Sequence, residues 1–111
     1  METSTIQIVV EKDENSIPER ITWSADDQGI VNREARAIAL GLWDDLDGVP
    51  MGLQLWTKKM TVEEMHAFTA GTLMQLADTF ERATSDKDHA DAIRMFTKEL
   101  AKRLRVPGAQ D

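Results

Sequence analysis

A chain of 111 residues with no cysteine is read as one domain, residues 1–111, with an ordered core over about residues 5–105 and neither disulfides nor thiolate metal ligands. Thirteen Lys and Arg against twenty Asp and Glu give a net charge of -7, which repels polyphosphate backbones and sets nucleic acid aside as a partner. The N-terminus METSTIQIVV has no basic run ahead of a long apolar stretch, and no window approaches the roughly 20 apolar residues of a membrane helix, so the expectation is a cytoplasmic chain without direct membrane insertion.

Thr5 to Lys12 alternates Ile6, Ile8 and Val10 with Gln7, Val9 and Glu11, the period of a strand with one buried face. Asp13 to Pro18 supplies turn formers, and a second strand runs from Arg20 to Ser24 with Ile21 and Trp23 inward. Ala25 to Asn32 keeps no period and carries Asp, Gln, Gly and Asn, so it reads as a loop. Arg36 to Thr57 divides into two further strands around Asp44 to Pro50. A helix over Glu34 to Asp45 is the competing reading, but the alternation Ile38, Leu40, Leu42 and the turn that follows favour a strand.

With Asp47-Gly48 at the centre of a two-residue turn, Leu42 faces Leu53 and Leu40 faces Leu55, while Trp43 faces Gly52 and Trp56 faces Ala39. One side is then wholly aliphatic. The other sets each tryptophan across from a small residue, with Gly41 opposite Gln54 between them. A slip of two residues preserves these faces, whereas a slip of one mixes them.

Thr61 to Ala83 is the clearest segment of the chain. Thr61 with Glu64 has capping-box spacing, and Val62, Met65, Thr69, Thr72, Leu73, Leu76, Phe80 and Ala83 share one helical face, with Gly71 on the opposite side. A second helix starts at Thr84-Ser85 and runs to about Arg105 with a stripe of Ile93, Phe96, Leu100 and Leu104, followed by a frayed tail over Ala109 to Asp111. Arg94 to Arg105 holds five basic residues and one acid, charge that suits the end of a helix dipole. The expected fold is α+β: a four-stranded antiparallel sheet followed by two C-terminal helices, ββββαα, with the helices on one sheet face.

Little in the chain suggests chemistry. No P-loop, G-x-G-x-x-G or G-x-S-x-G occurs, and pairs such as Asp26-Asp27 and Asp44-Asp45 read as solvated loop acids. Asp45-Leu46-Asp47-Gly48 is superficially similar to a calcium loop, but alignment on its glycine puts Trp43 at the first ligand position and Gln54 at the last, so calcium is not supported. His66 and His89 are the only histidines, and an enzyme or metal site centred on them is the rival functional reading; no cofactor or metal is expected. The stronger candidates are Trp43 and Trp56, which with Gly41, Gly52 and Gln54 make a shallow surface suited to a protein partner or to subunit pairing in a homo-oligomer.

Three stretches, Ile17-Pro18-Glu19-Arg20-Ile21-Thr22-Trp23-Ser24-Ala25, Leu55-Trp56-Thr57-Lys58-Lys59-Met60 and Ala77-Asp78-Thr79-Phe80-Glu81-Arg82-Ala83-Thr84, resemble the gliding-motility protein C family, GldC. The resemblance extends from Ile6 to about Leu104. It implies a small soluble cytoplasmic accessory protein of bacterial surface gliding, linked to type IX secretion, without catalytic or ligand residues to carry over. A non-enzymatic module that binds a component of that machinery is the leading expectation. A chaperone-like module holding extended polypeptide along a sheet edge is the variant.

Overall fold

In a computed structural model, which describes residues 1–109, the chain folds as two compact units, Met1–Met60 and Thr61–Asp111. In the first, β1 (Ile6–Lys12), β2 (Pro18–Ala25) and β3 (Ile30–Ala35) form an antiparallel sheet in the order β1-β2-β3, while β4 (Ala37–Asp44) and β5 (Val49–Trp56) form a separate two-stranded sheet. The expected single four-stranded sheet is therefore two sheets of three and two strands. No helix among the described residues is long and apolar enough to cross a membrane.

The strand absent from the sequence reading is β3, which begins inside the stretch taken as a loop and runs three residues past its end at Asn32. Asp26–Gln28 makes a 3-10 turn that Gly29 closes at φ 65, and Ile30 then pairs with Ala25, both buried. The register shifts between Trp23 and Ala25, and Asn32 takes a left-handed φ of 48 while its N–H donates to Ser24 Oγ at 2.9 Å. A bulge of this kind changes which face successive residues occupy, so the period of two never shows. A bend at Arg36 then carries the chain from β3 into β4.

The link between β1 and β2 is a side-chain-capped turn. Asp13 Oδ1 accepts from the N–H groups of Asn15 and Ile17 at 2.8 and 2.9 Å, and Lys58 stands 2.6 Å from Asp13 Oδ2. The Lys58 ammonium, aided by the Ile17 N–H, holds the Asp13 carboxyl below its usual range. Ile21, at the middle of the central strand β2, is fully buried, whereas Trp23, expected in the core beside it, is half-buried.

The second unit is a helical hairpin of α1 (Val62–Thr84) and α2 (Lys87–Arg103). Thr61 caps α1 in a complete capping box with Glu64. The N-cap of α2 is Asp86 rather than Thr84 or Ser85, its Oδ1 accepting from His89 N–H at 3.0 Å. Arg105, at φ 57, ends α2: its N–H donates to Lys102 O and that of Val106 to Ala101 O, the paired bonds of a Schellman stop. Of the tail expected to fray, Gln110 and Asp111 lie outside the described residues.

The buried stripes differ from those drawn on the sequence. Ala70 and Ala77 on α1, and Ala90, Thr97 and Ala101 on α2, are the buried residues. Val62, Leu76 and Phe96 of the expected stripes are exposed, as are Thr69 and Ala83, while Met65, Thr72, Leu73, Phe80, Ile93, Leu100 and Leu104 are half-buried. A wheel weighted by hydrophobicity gives alanine little say, yet small side chains are what let two helices approach closely. Thr97 is accommodated because its Oγ1 donates to Ile93 O at 2.7 Å. Arg94 ties the helices together, its guanidinium 2.8 Å from Asp78, 2.7 Å from Asp91 and 2.8 Å from Glu81.

Gly71 lies exposed in the interior of α1, and a Cβ built there meets nothing within 4 Å. Gly71→Ala should therefore stabilise the chain by about 0.5–1 kcal/mol, through lost freedom of the unfolded chain and better helix propensity. Chemical denaturation followed at the helical circular-dichroism band checks this, and a lower midpoint would show that the site needs glycine for close approach.

Candidate protein-interaction face

The β4–β5 hairpin presents the candidate residues. Its register pairs Ala37 with Trp56, Ile38 with Leu55, Ala39 with Gln54, Leu40 with Leu53, Gly41 with Gly52, Leu42 with Met51 and Trp43 with Pro50. This lies two residues from the register expected for an Asp47-Gly48 turn. The connection is instead the four residues Asp45 to Gly48, in which Gly48 N–H donates to Asp44 O, Asp44 Oδ2 accepts from Asp47 N–H at 2.7 Å, and Gly48 adopts φ 65. Because the slip is two, both faces keep their membership.

One face carries Trp43, Trp56, Gly41, Gly52 and Gln54 together with Ala37, Ala39 and Pro50. The tryptophans are 70% and 59% exposed and sit at opposite ends of the hairpin, about 20 Å apart along the strands. Between them the floor is flat. A Cβ on Gly52 would stand 2.6 Å from Gln54 Nε2 and 3.1 Å from Leu40 O, so the missing side chain there is what gives the Gln54 amide its room, while Gly41 is open. At the Trp56 end, Ile17, Pro18, Gln54, Leu55 and Trp56 line a shallow groove of about 210 Å³.

The opposite face is aliphatic. Leu40, Leu42, Met51 and Leu53 are all exposed, as is Leu46 at the loop tip. The sequence held the signal for this in a hairpin with no charged residue on either face between Ala37 and Trp43 or between Val49 and Trp56.

The groups considered for chemistry are elsewhere and apart. His66 lies near the start of α1 and His89 near the start of α2, and the antiparallel pairing fixed by Arg94 separates them by about 25 Å along the helix axes. They cannot ligate one ion. His89 Nδ1 instead lies 2.6 Å from Asp86 Oδ2, beside the cap of its own helix. Among the described residues no group of three or more His, Cys, Asp or Glu could hold a metal. A cleft of about 410 Å³ beside α1 and α2 is lined by Ala70, Met74, Thr97 and Ala101 together with Lys98 and Lys102, with no acid in its lining.

Comparison with family models matches residues 18–106 to the family described as gliding motility-associated protein GldC-like. The chain belongs to the GldC-like family. The match covers β2 through the end of α2 and so includes the whole hairpin with Trp43 and Trp56. It also takes in the stretches that carry the resemblance, the first of them from Pro18 onward: β2, the β5 end with Lys58 and Lys59, and the last two turns of α1. In this GldC-like chain Lys58 reaches Asp13 and Glu19, and Lys59 reaches Glu34 at 3.3 Å, so the second stretch pins β5 to the ends of β1, β2 and β3. Neither the comparison with curated proteins nor that with solved structures found a match.

Proposed function

We propose that this chain acts in the cytoplasm as a non-enzymatic accessory module of bacterial surface gliding and of the type IX secretion machinery linked to it, working through a protein contact at the Trp43–Trp56 face. Membership in a gliding motility-associated family supplies the process. The observation that carries the mode of action is the exposure of two tryptophans on an uncharged face with a glycine-lined floor. Exposed tryptophan on a flat sheet face is the arrangement that supplies a large share of binding energy when a partner desolvates it. Extended strands fix both indoles with few rotatable bonds to order, which lowers the entropic cost of docking.

The test is complementation in a gliding bacterium lacking its own copy. The wild-type chain is expected to restore colony spreading, and Trp43→Ala/Trp56→Ala is expected to lose it while the purified variant keeps the wild-type circular-dichroism spectrum and unfolding midpoint. Full restoration by the double variant would overturn the reading. So would failure of crosslinked capture to recover any motility or secretion component in a Trp43- and Trp56-dependent way.

A further inference from the structure

Backbone geometry decides which edge of the hairpin is open. Thr57 N–H donates to Arg36 O at 2.8 Å, so these two residues form a hydrogen-bonded pair, and the alternation of an antiparallel ladder makes Ile38, Leu40 and Leu42 hydrogen-bonded to β5. The N–H and C=O groups of Ala37, Ala39, Gly41 and Trp43 therefore point outward along the free edge of β4. On β5 the outward residues include Pro50, which has no N–H, so that edge is blunted. The β4 edge has every donor, no bulge, no charge and small side chains at three of its four outward positions. Of the other outer strands, β1 ends in a register shift at Glu11/Lys12, and β3 carries Asn32, Arg33 and Glu34.

The pattern along β4 is complementary to itself. The uncharged stretch Ala37 to Trp43 is centred on Leu40, and it is flanked by charges of opposite sign, Arg36 and Asp44. Laid antiparallel against a second copy about a two-fold axis at Leu40, it sets Ile38 beside Leu42, Ala39 beside Gly41, Ala37 beside Trp43, and the positive end beside the negative one. Ala37 already faces Trp56 within its own hairpin. Each Ala37 would thus lie between Trp56 of its own copy and Trp43 of the other, a small residue flanked by two indoles. That large-against-small match is what an isologous contact requires. A two-stranded sheet with both faces wet is marginal by itself, and four strands reach the size at which a sheet holds together.

We infer that two copies of this chain pair through their β4 edges, forming a continuous antiparallel sheet in the order β5-β4-β4-β5 with Leu40 facing Leu40 on the two-fold axis. The inference rests on the reading of Trp43–Trp56 as an interaction face and names the occupant beside Trp43. It assigns the second copy by register, which an unrelated extended polypeptide would not match.

The absence of native cysteine makes the test direct, because one introduced thiol is the only one in the chain. Across the two-fold axis, Leu40→Cys would place two Cα atoms about 4.5 Å apart, within disulfide reach, whereas Leu42→Cys would place them about 13 Å apart along the strands. Leu42 is the more exposed of the two, at 60% against 38%, so random collision favours the wrong variant. Under mild oxidation of the full chain, Leu40→Cys is expected to form covalent dimer at least about tenfold faster than Leu42→Cys. Sedimentation is expected to give a dimer for the wild type and a monomer for Ala39→Pro, which removes an outward donor and leaves the hairpin's own bonds in place. Equal or reversed crosslinking rates would overturn the pairing, as would a monomeric wild type. A monomer that gains protection only from an added extended peptide assigns the edge to polypeptide capture and also overturns it. None of these results bears on the Trp43–Trp56 reading, which complementation tests separately.

Discussion

Ile21→Ala should weaken the Met1–Met60 unit by about 2–5 kcal/mol, the cost of removing a buried aliphatic side chain and leaving space that neighbours fill only in part. Ile21 is fully buried on the central strand, paired with Val10 on one side and Ala35 on the other. Among the described residues it is the largest apolar side chain to be wholly enclosed. All three tryptophans lie in this unit, and Trp23 lies two residues from Ile21 on the same strand face. Tryptophan fluorescence during urea unfolding therefore reads the right region. A midpoint within experimental scatter of the wild type would mean that the sheet tolerates the cavity and that its stability resides elsewhere.

Ala77→Leu is expected to cost about 1–3 kcal/mol, read in the helical circular-dichroism band because α1 and α2 hold the helical turns of the Thr61–Asp111 unit. Ala77 is fully buried, and it precedes Asp78, which with Glu81 clasps Arg94 of α2. Three extra carbons at this point would push the helices apart and lengthen ion pairs now at 2.8 Å. The added apolar area would ordinarily favour folding, so the sign of the change is informative. A higher midpoint would show room around Ala77 that its burial denies.

Much of the fold was legible where one local rule acted alone. The capping box at Thr61 and Glu64, the alternation in β1, and the Ile38-Leu40-Leu42 strand each depend on neighbours within a few residues. β3 was missed because a bulge at Asn32 resets the side-chain alternation, and that bulge exists only because β2 lies alongside to supply Ser24 Oγ. The candidate face survived an error in the turn. A four-residue loop replaced the two-residue one, but the slip was even, and evenness is all that keeps Trp43, Trp56, Gly41, Gly52 and Gln54 together. The helical stripes failed for the opposite reason: hydrophobicity predicted Leu76 and Phe96 inward, whereas close helix approach selected Ala70, Ala77, Ala90 and Ala101.

By itself the sequence determined the α+β class, the two helices with the capping box of the first, the family and the composition of each hairpin face, because all of these follow from local pattern. Tertiary structure decided what patterns cannot encode. Pairing across sequence distance divided the strands into sheets of three and two, and the antiparallel helix pair held His66 and His89 far apart. Pairing with β5 alone left one edge of β4 open, and the contact of Thr57 N–H with Arg36 O set which of its residues point their backbone groups outward. Exposure is a property of what lies next to a surface, and a residue list does not contain it.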